Sequence, residues 1–138
     1  MHANMYLHFN GNCTDALKFY AAATGGKIIA MQTYGESPAA AQSAPEFHDK
    51  VIHAQIQIGD TVIMASDAPP DRYFPPQGFS VSISADNSPD AERMFQALSE
   101  GGQVGMPMSE SFFAHRFGML TDKFGVPWMV IHQKPMGG

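Results

Sequence analysis

Apolar and polar residues alternate along much of this 138-residue chain, and a helical spacing takes over where the alternation stops. The clearest two-residue period runs through Val51–Ile58. There Ile52, Ala54, Ile56 and Ile58 fall on one side and His53, Gln55 and Gln57 on the other, which predicts a half-buried strand. Phe79–Ala85 repeats the pattern, with Phe79, Val81, Ile83 and Ala85 set against Ser80, Ser82 and Ser84. Shorter apolar runs bounded by turn residues, Met5–Phe9, Lys27–Tyr34 and Thr61–Ser66, predict further strands. Between the first two, Ala16, Leu17, Tyr20 and Ala23 form a helical stripe, with Asn12 or Thr14 as its cap, Asp15 in its first turn and Gly25-Gly26 at its end. A second helix, Ala91–Glu100, is predicted after Ser88-Pro89-Asp90 and before Gly101-Gly102.

The second half of the chain echoes the first. Laying TDALKFYAAATGGKI over PDAERMFQALSEGGQV matches Asp15 with Asp90 and Tyr20 with Phe95. Further on, HDKVIHAQIQIGDTVIM lies over FAHRFGMLTDKFGVPWM, with Met64 above Met129. Two βαβββ modules account for this most economically, and each would cover one side of a small sheet with its helix. The expected fold class is α+β: one domain, 1–138, of two βαβββ modules forming a curled mixed sheet around a cleft. A proline-rich connection separates module 1, about 1–75, from module 2, about 76–138. The polar, aperiodic stretch 35–49 reads as a long surface loop that either covers a site or is mobile.

Charge narrows the function classes. Lys and Arg total 8 against 13 Asp and Glu, for a formal charge of -5, and no basic run offers a surface for phosphates. Nucleic acid is not an expected partner. The start MHANMYLHFNGNC has no apolar leader, no apolar stretch reaches membrane length, and a single Cys cannot form an internal disulfide. A soluble, cytoplasmic protein without a membrane partner is expected.

Three segments carry a family resemblance: FNGNCTDALKFY, VIHAQIQIGDTVIMASDAP and ESFFAHRFGMLTDKFGVPWMV. They resemble the PhnB-like branch of the vicinal oxygen chelate superfamily, which groups glyoxalase I with bleomycin-resistance proteins, fosfomycin-resistance enzymes and extradiol dioxygenases. The similarity runs over nearly the whole chain and implies paired modules around a cleft and a homodimer. The branch has carried the label of a demethylubiquinone methyltransferase, yet no glycine-rich turn with a following acidic residue marks a nucleotide-type cofactor site here. Metal-dependent members place ligands on the first and last strand of each module. Carried over, these positions hold Met5, Met64, Ser80 and Met129. Thioethers favour soft metals and a neutral hydroxyl is a weak donor, so neither a metal nor another cofactor is expected. A one-residue slip in register would instead bring His8 or Tyr6 and Phe79 to the cleft.

The candidate site follows from the polar rows. His53 and His115 are the candidate catalytic residues, because imidazole exchanges protons near neutral pH. Asp67 or Glu110 is placed to orient a histidine, and Arg116 to fork onto an anionic group. Gln55, Gln57, Met64, Ser66, Ser80, Ser82, Arg116 and Met129 are the candidate contacts for a small polar organic ligand. A solvated sheet face accounts for the same alternation. A metal cluster of His8, His53 and His115 is the sharpest alternative, although its spacing matches no local motif. Cys13, at a helix start, is either a reactive thiolate or a small buried hydrophobe. Trp128 reads as core, and Phe112 and Phe113 either cap the cleft or bury in a dimer contact. Three functions remain open: a binding or sequestering protein, an enzyme using histidine acid-base chemistry or a noncanonical metal, and a structural dimer.

Overall fold

The structure, a computed structural model, describes residues 1–135. Its contacts divide the chain into two units, Met1–Phe74 and the part from Pro75 onward.

In the first unit β1 (Tyr6–Phe9) leads into α1 (Cys13–Thr24), followed by β2 (Lys27–Thr33), β3 (Val51–Ile58) and β4 (Thr61–Asp67). The sheet order is β1-β4-β3-β2, with β1 parallel to β4 and the other pairs antiparallel. Leu7, Phe9, Ala54, Ile56, Ile63 and Ala65 are buried, as are Cys13, Ala16, Leu17, Tyr20 and Ala23 of α1. The helical stripe and one face of the sheet therefore bury each other. Neither predicted cap acts on α1. The Asn12 side chain makes no capping bond, and the Thr14 hydroxyl reaches Met31 Sδ. The backbone N–H of Cys13 instead donates to Asp67 Oδ1 at 2.9 Å, and Val51 N–H donates to Asp67 Oδ2 at 2.9 Å. A carboxylate far along the chain thus satisfies one of the N–H groups that a helix start leaves unpaired and pins the entry of β3. Gly25, at φ 76, closes the other end by donating to Ala21 O, a conformation that favours glycine.

The stretch 35–49 is organised. It holds two short 3-10 helices, Pro38–Gln42 and Pro45–Phe47. His48 Nε2 lies 2.9 Å from Ala40 O, and Tyr34 packs against Phe47 and donates through its hydroxyl to Asp67 O.

The second unit repeats the plan: β5 (Val81–Ser84), α2 (Ser88–Ser99), β6 (Gln103–Ser109), β7 (Ala114–Thr121) and β8 (Pro127–Gln133), in sheet order β5-β8-β7-β6. Ala91, Met94, Phe95 and Leu98 of α2 are buried, as are Leu120, Trp128 and Val130 of the sheet. Asn87 caps α2 by accepting from Asp90 N at 2.8 Å. Asp122 closes the β7–β8 turn, accepting from Phe124 N, Val126 N and Trp128 Nε1 at 2.8, 3.0 and 2.8 Å. Trp128 is core, as its sequence position implies. Phe79 is not: it precedes β5 and is 44% exposed, because β5 begins only at Val81.

Candidate functional site

Register places the polar row of the first unit on the sheet face opposite α1. Tyr6 and Gln55 both pair with Met64, and His8 pairs with Ser66. His53, Gln55 and Gln57 alternate against the buried Ala54 and Ile56 on β3, so they share that face. Tyr6 Oη lies 3.2 Å from His53 Nδ1, and Gln55 Nε2 lies 3.2 Å from His53 Nε2. The Tyr6 ring also stands 4.9 Å from the His8 ring and 5.8 Å from the His53 ring, centroid to centroid. The result is a hydrogen-bonded triplet, Tyr6–His53–Gln55, half-buried and flanked by Met64 and the buried Ser66. Both ring nitrogens of His53 are engaged, which fixes the plane of the imidazole. The pairing with Met64 shows that Tyr6, rather than the Met5 expected from the resemblance, faces this way, a shift of one residue in register. Alternation over a five-residue apolar run was too short to settle that phase.

The second unit places its candidates differently. Ser82 pairs with Met129, and Met119 pairs with Met129. Around them Ala114, Phe117 and Ile131 form a buried apolar cluster against which Met119 and Met129 pack. The wall there is largely apolar, with Ser82 and Ser84 on its rim strand, and Ser80 lies ahead of β5. Arg116 stands on the other side. The Arg116 guanidinium reaches Glu92 on α2 at 2.5 Å and Met108 O at 3.2 Å. A bulge between Ala114 and Arg116 reverses the alternation of β7, so Arg116 pairs with His132 instead of following Ala114. Sequence periodicity carries no trace of that extra residue.

His115, exposed at the same bulge, stacks on His132 with centroids 4.9 Å apart, and Ser88 Oγ lies 2.8 Å from His132 Nδ1. Glu110 pairs with Lys134 at 3.0 Å, and the hydrogen bond and charge of that lysine hold its carboxyl below the usual carboxylate range. Asp67 orients no histidine, because both its oxygens serve the backbone of Cys13 and Val51. Cys13 is fully buried, and burial followed by the charge of Asp67 pushes its thiol up to about 12, which settles the choice against a reactive thiolate.

The positions that the family resemblance implies for metal ligands carry side chains that do not fit a hard or borderline divalent ion. Met64 and Met129 bring thioethers and Ser80 a hydroxyl. Among the described residues no group of three or more His, Cys, Asp or Glu side chains is arranged to hold a metal, the His8, His53 and His115 combination included. A shallow groove lined by Glu92, Phe95, Gln96, Ser99, Glu100 and Val104 holds none of the predicted site residues.

The chain is similar to known proteins over nearly its whole length. A family profile described as 3-demethylubiquinone-9 3-methyltransferase matches residues 2–131. Protein YjdN of Escherichia coli (strain K12) is 38% identical over 140 residues, covering 94% of this chain and 95% of YjdN. The chain belongs to the PhnB-like family. Among solved structures, protein PA1353 from Pseudomonas aeruginosa is 42% identical with a TM-score of 0.87, covering 96% of this chain and 97% of PA1353. A PhnB protein from Bacillus cereus, 24% identical with a TM-score of 0.79 and covering 96% and 99% of the two chains, shares the fold. That fold, of paired βαβββ modules, is the one seen in glyoxalase/bleomycin resistance/dioxygenase proteins. The glycine-rich turn of a dinucleotide-type site is not part of this PhnB-like sequence, whatever the profile's description. No described helix is long and apolar enough to cross a membrane.

Proposed function

We propose that this PhnB-like protein binds a small polar organic molecule on the α1-distal face of its first sheet, without a hard divalent metal. The observation that carries this reading is the Tyr6–His53–Gln55 triplet, held half-buried on a face that α1 does not cover. Hydroxyl and amide groups, oriented by the imidazole between them, can pair with ligand oxygens without the cost of desolvating a full charge. Gln57, Met64 and Ser66 extend the same surface, and the flexible Met64 adapts to ligand shape. In the second unit Ser82 and Met129 are the polar and apolar side chains at the matching place on its own sheet.

The test is a thermal-shift screen of small hydroxy-acids, amides and ketones, followed by titration of hits against His53→Ala and Gln55→Leu. Binding to the native state raises the midpoint by mass action, and both variants should weaken it at least tenfold. Hits that bind both variants as tightly as the parent would overturn the reading.

A second reading, histidine acid-base catalysis, is favoured by the Tyr6–His53 hydrogen bond, since a phenol and an imidazole in contact form a proton-transfer pair. His115, beside His132, is its second candidate. Turnover of a screening hit that is lost in His53→Ala supports it, and stoichiometric binding without turnover removes it. We further propose a cytoplasmic homodimer. Its support is the buried, unreactive Cys13, which suits a reducing compartment, and the exposed, edge-to-face Phe112 and Phe113 pair. Light scattering of the parent and of Phe112→Ser measures the association, and a parent that is monomeric at working concentration removes that part.

A further inference from the structure

The triplet has a direction. Gln55 Nε2 is an amide nitrogen and can only donate, so it bonds to His53 Nε2, 3.2 Å away, in the tautomer that leaves that ring nitrogen unprotonated. A neutral His53 then carries its hydrogen on Nδ1, and Nδ1 points at Tyr6 Oη from 3.2 Å. With an N–H already donating into it, Tyr6 Oη keeps its own hydrogen outside the triplet. The chain of donors runs Gln55 to His53 to Tyr6, and it ends on a phenolic O–H.

We infer that Tyr6 is the hydrogen-bond donor that this face presents to its ligand, and that the ligand offers an acceptor oxygen of carbonyl or carboxylate type. His53 and Gln55 are positioning residues: they need not touch the ligand, and they fix which way the phenol can donate. The inference rests on the binding reading above. Donation from an N–H strengthens the partial negative charge on Oη as Tyr6 gives up its own hydrogen bond, and linked hydrogen bonds of one sense polarise one another. An acceptor oxygen suits such a phenol better than a ligand N–H does. Met64, paired in register with Tyr6 and Gln55, supplies an apolar neighbour for the carbon frame that carries that oxygen.

Two measurements on the intact protein test this. The first needs no ligand. Ring nitrogen-15 shifts of His53 should show hydrogen on Nδ1, and Gln55→Glu, which replaces the amide donor with a carboxylate acceptor, should move it to Nε2 or protonate both nitrogens. Hydrogen on Nε2 in the parent protein overturns the direction. The second uses pyruvate, which presents acceptor oxygens, and methylammonium, which presents only N–H donors. Pyruvate should shift the Tyr6 and His53 resonances in the parent protein, and its apparent Kd should rise at least fivefold in Tyr6→Phe, which keeps the ring. Methylammonium should shift neither. Equal pyruvate binding by parent and Tyr6→Phe, seen at Met64 and Gln55, overturns the role of Tyr6 while the binding reading stands. Methylammonium binding in place of pyruvate reverses the ligand class and overturns the inference. Response to neither probe, with the screening hits also failing to reach Met64 and Gln55, overturns both.

Discussion

Asp67 does at one position what sequence reading would assign to several. Its two oxygens take the first N–H of α1 and the first N–H of β3, and its own backbone oxygen accepts from Tyr34. Asp67→Asn keeps the size but offers one acceptor where two are used, leaving a buried backbone N–H facing an amide donor. Loss of a buried hydrogen bond to a charged group costs about 1.5–3 kcal/mol, so the urea midpoint should fall accordingly, with the slope unchanged. Cys13, the donor to this carboxylate, carries a second prediction. Its thiol is shifted from 9.0 to about 12, so the folded state holds the proton more tightly than the unfolded chain does. The stabilisation is therefore intact below about pH 9 and is lost as pH rises towards about pH 12. Alkaline unfolding should expose it, and native protein at about pH 8 should resist iodoacetamide until denaturant is added. Residue type alone pointed to burial, because free Cys is among the most buried residue types. The partner of its backbone did not show in the sequence, because Asp67 is 54 positions away.

At the level of elements, the two helices begin in chemically different ways. Asn87 caps α2 with its own side chain, whereas Asn12 leaves α1 to Asp67. Asn87→Ala should therefore cost about 1 kcal/mol, and Asn12→Ala should leave the melting temperature within error, although Asn12 looks like a cap in sequence and the cap signal of α2 lies at Ser88-Pro89-Asp90, one residue past Asn87. β7 approaches α2 closely enough to need a glycine. A Cβ on Gly118 would sit 2.7 Å from Phe95 Cε2 and from Met108 Sδ, so Gly118→Ala should destabilise by about 1–3 kcal/mol through overpacking. Periodicity located both helices and strands such as β3, since one face of each is buried, and apolar runs bounded by turn residues located others such as β2. It failed on single-residue insertions. The bulge before Arg116 turned that side chain to Glu92, and strand β1 was too short for its phase to be read, which hid Tyr6. A β-bulge changes side-chain direction without changing composition, so only the pairing partner reveals it.

At the scale of the whole molecule, two units share one topology and differ in what they present. The first offers imidazole, phenol and amide groups on its α1-distal face, and the second offers methionine and phenylalanine rimmed by serines. The duplication was legible from matched helix and turn residues, whereas this difference in character needed the register. Since thioethers and hydroxyls stand at the positions that the family resemblance implies for metal ligands, Zn²⁺, Mn²⁺ or Ni²⁺ added to chelator-washed protein should leave its melting temperature unchanged. A stabilisation of several degrees at stoichiometric metal would contradict that donor assignment. The edges of the two sheets have a further consequence. β2 is broken by register shifts at Ile28/Ala30 and Gln32/Thr33, and β6 by shifts at Val104/Met106 and Met106/Ser109, with Pro107 inside it. An interrupted row of N–H and C=O groups is a poor template for a strand from another molecule. Exposed apolar side chains such as Ile29, Met31, Val104 and Met106 are thereby kept from seeding cross-β stacking, and these irregularities serve as a built-in guard against fibril growth.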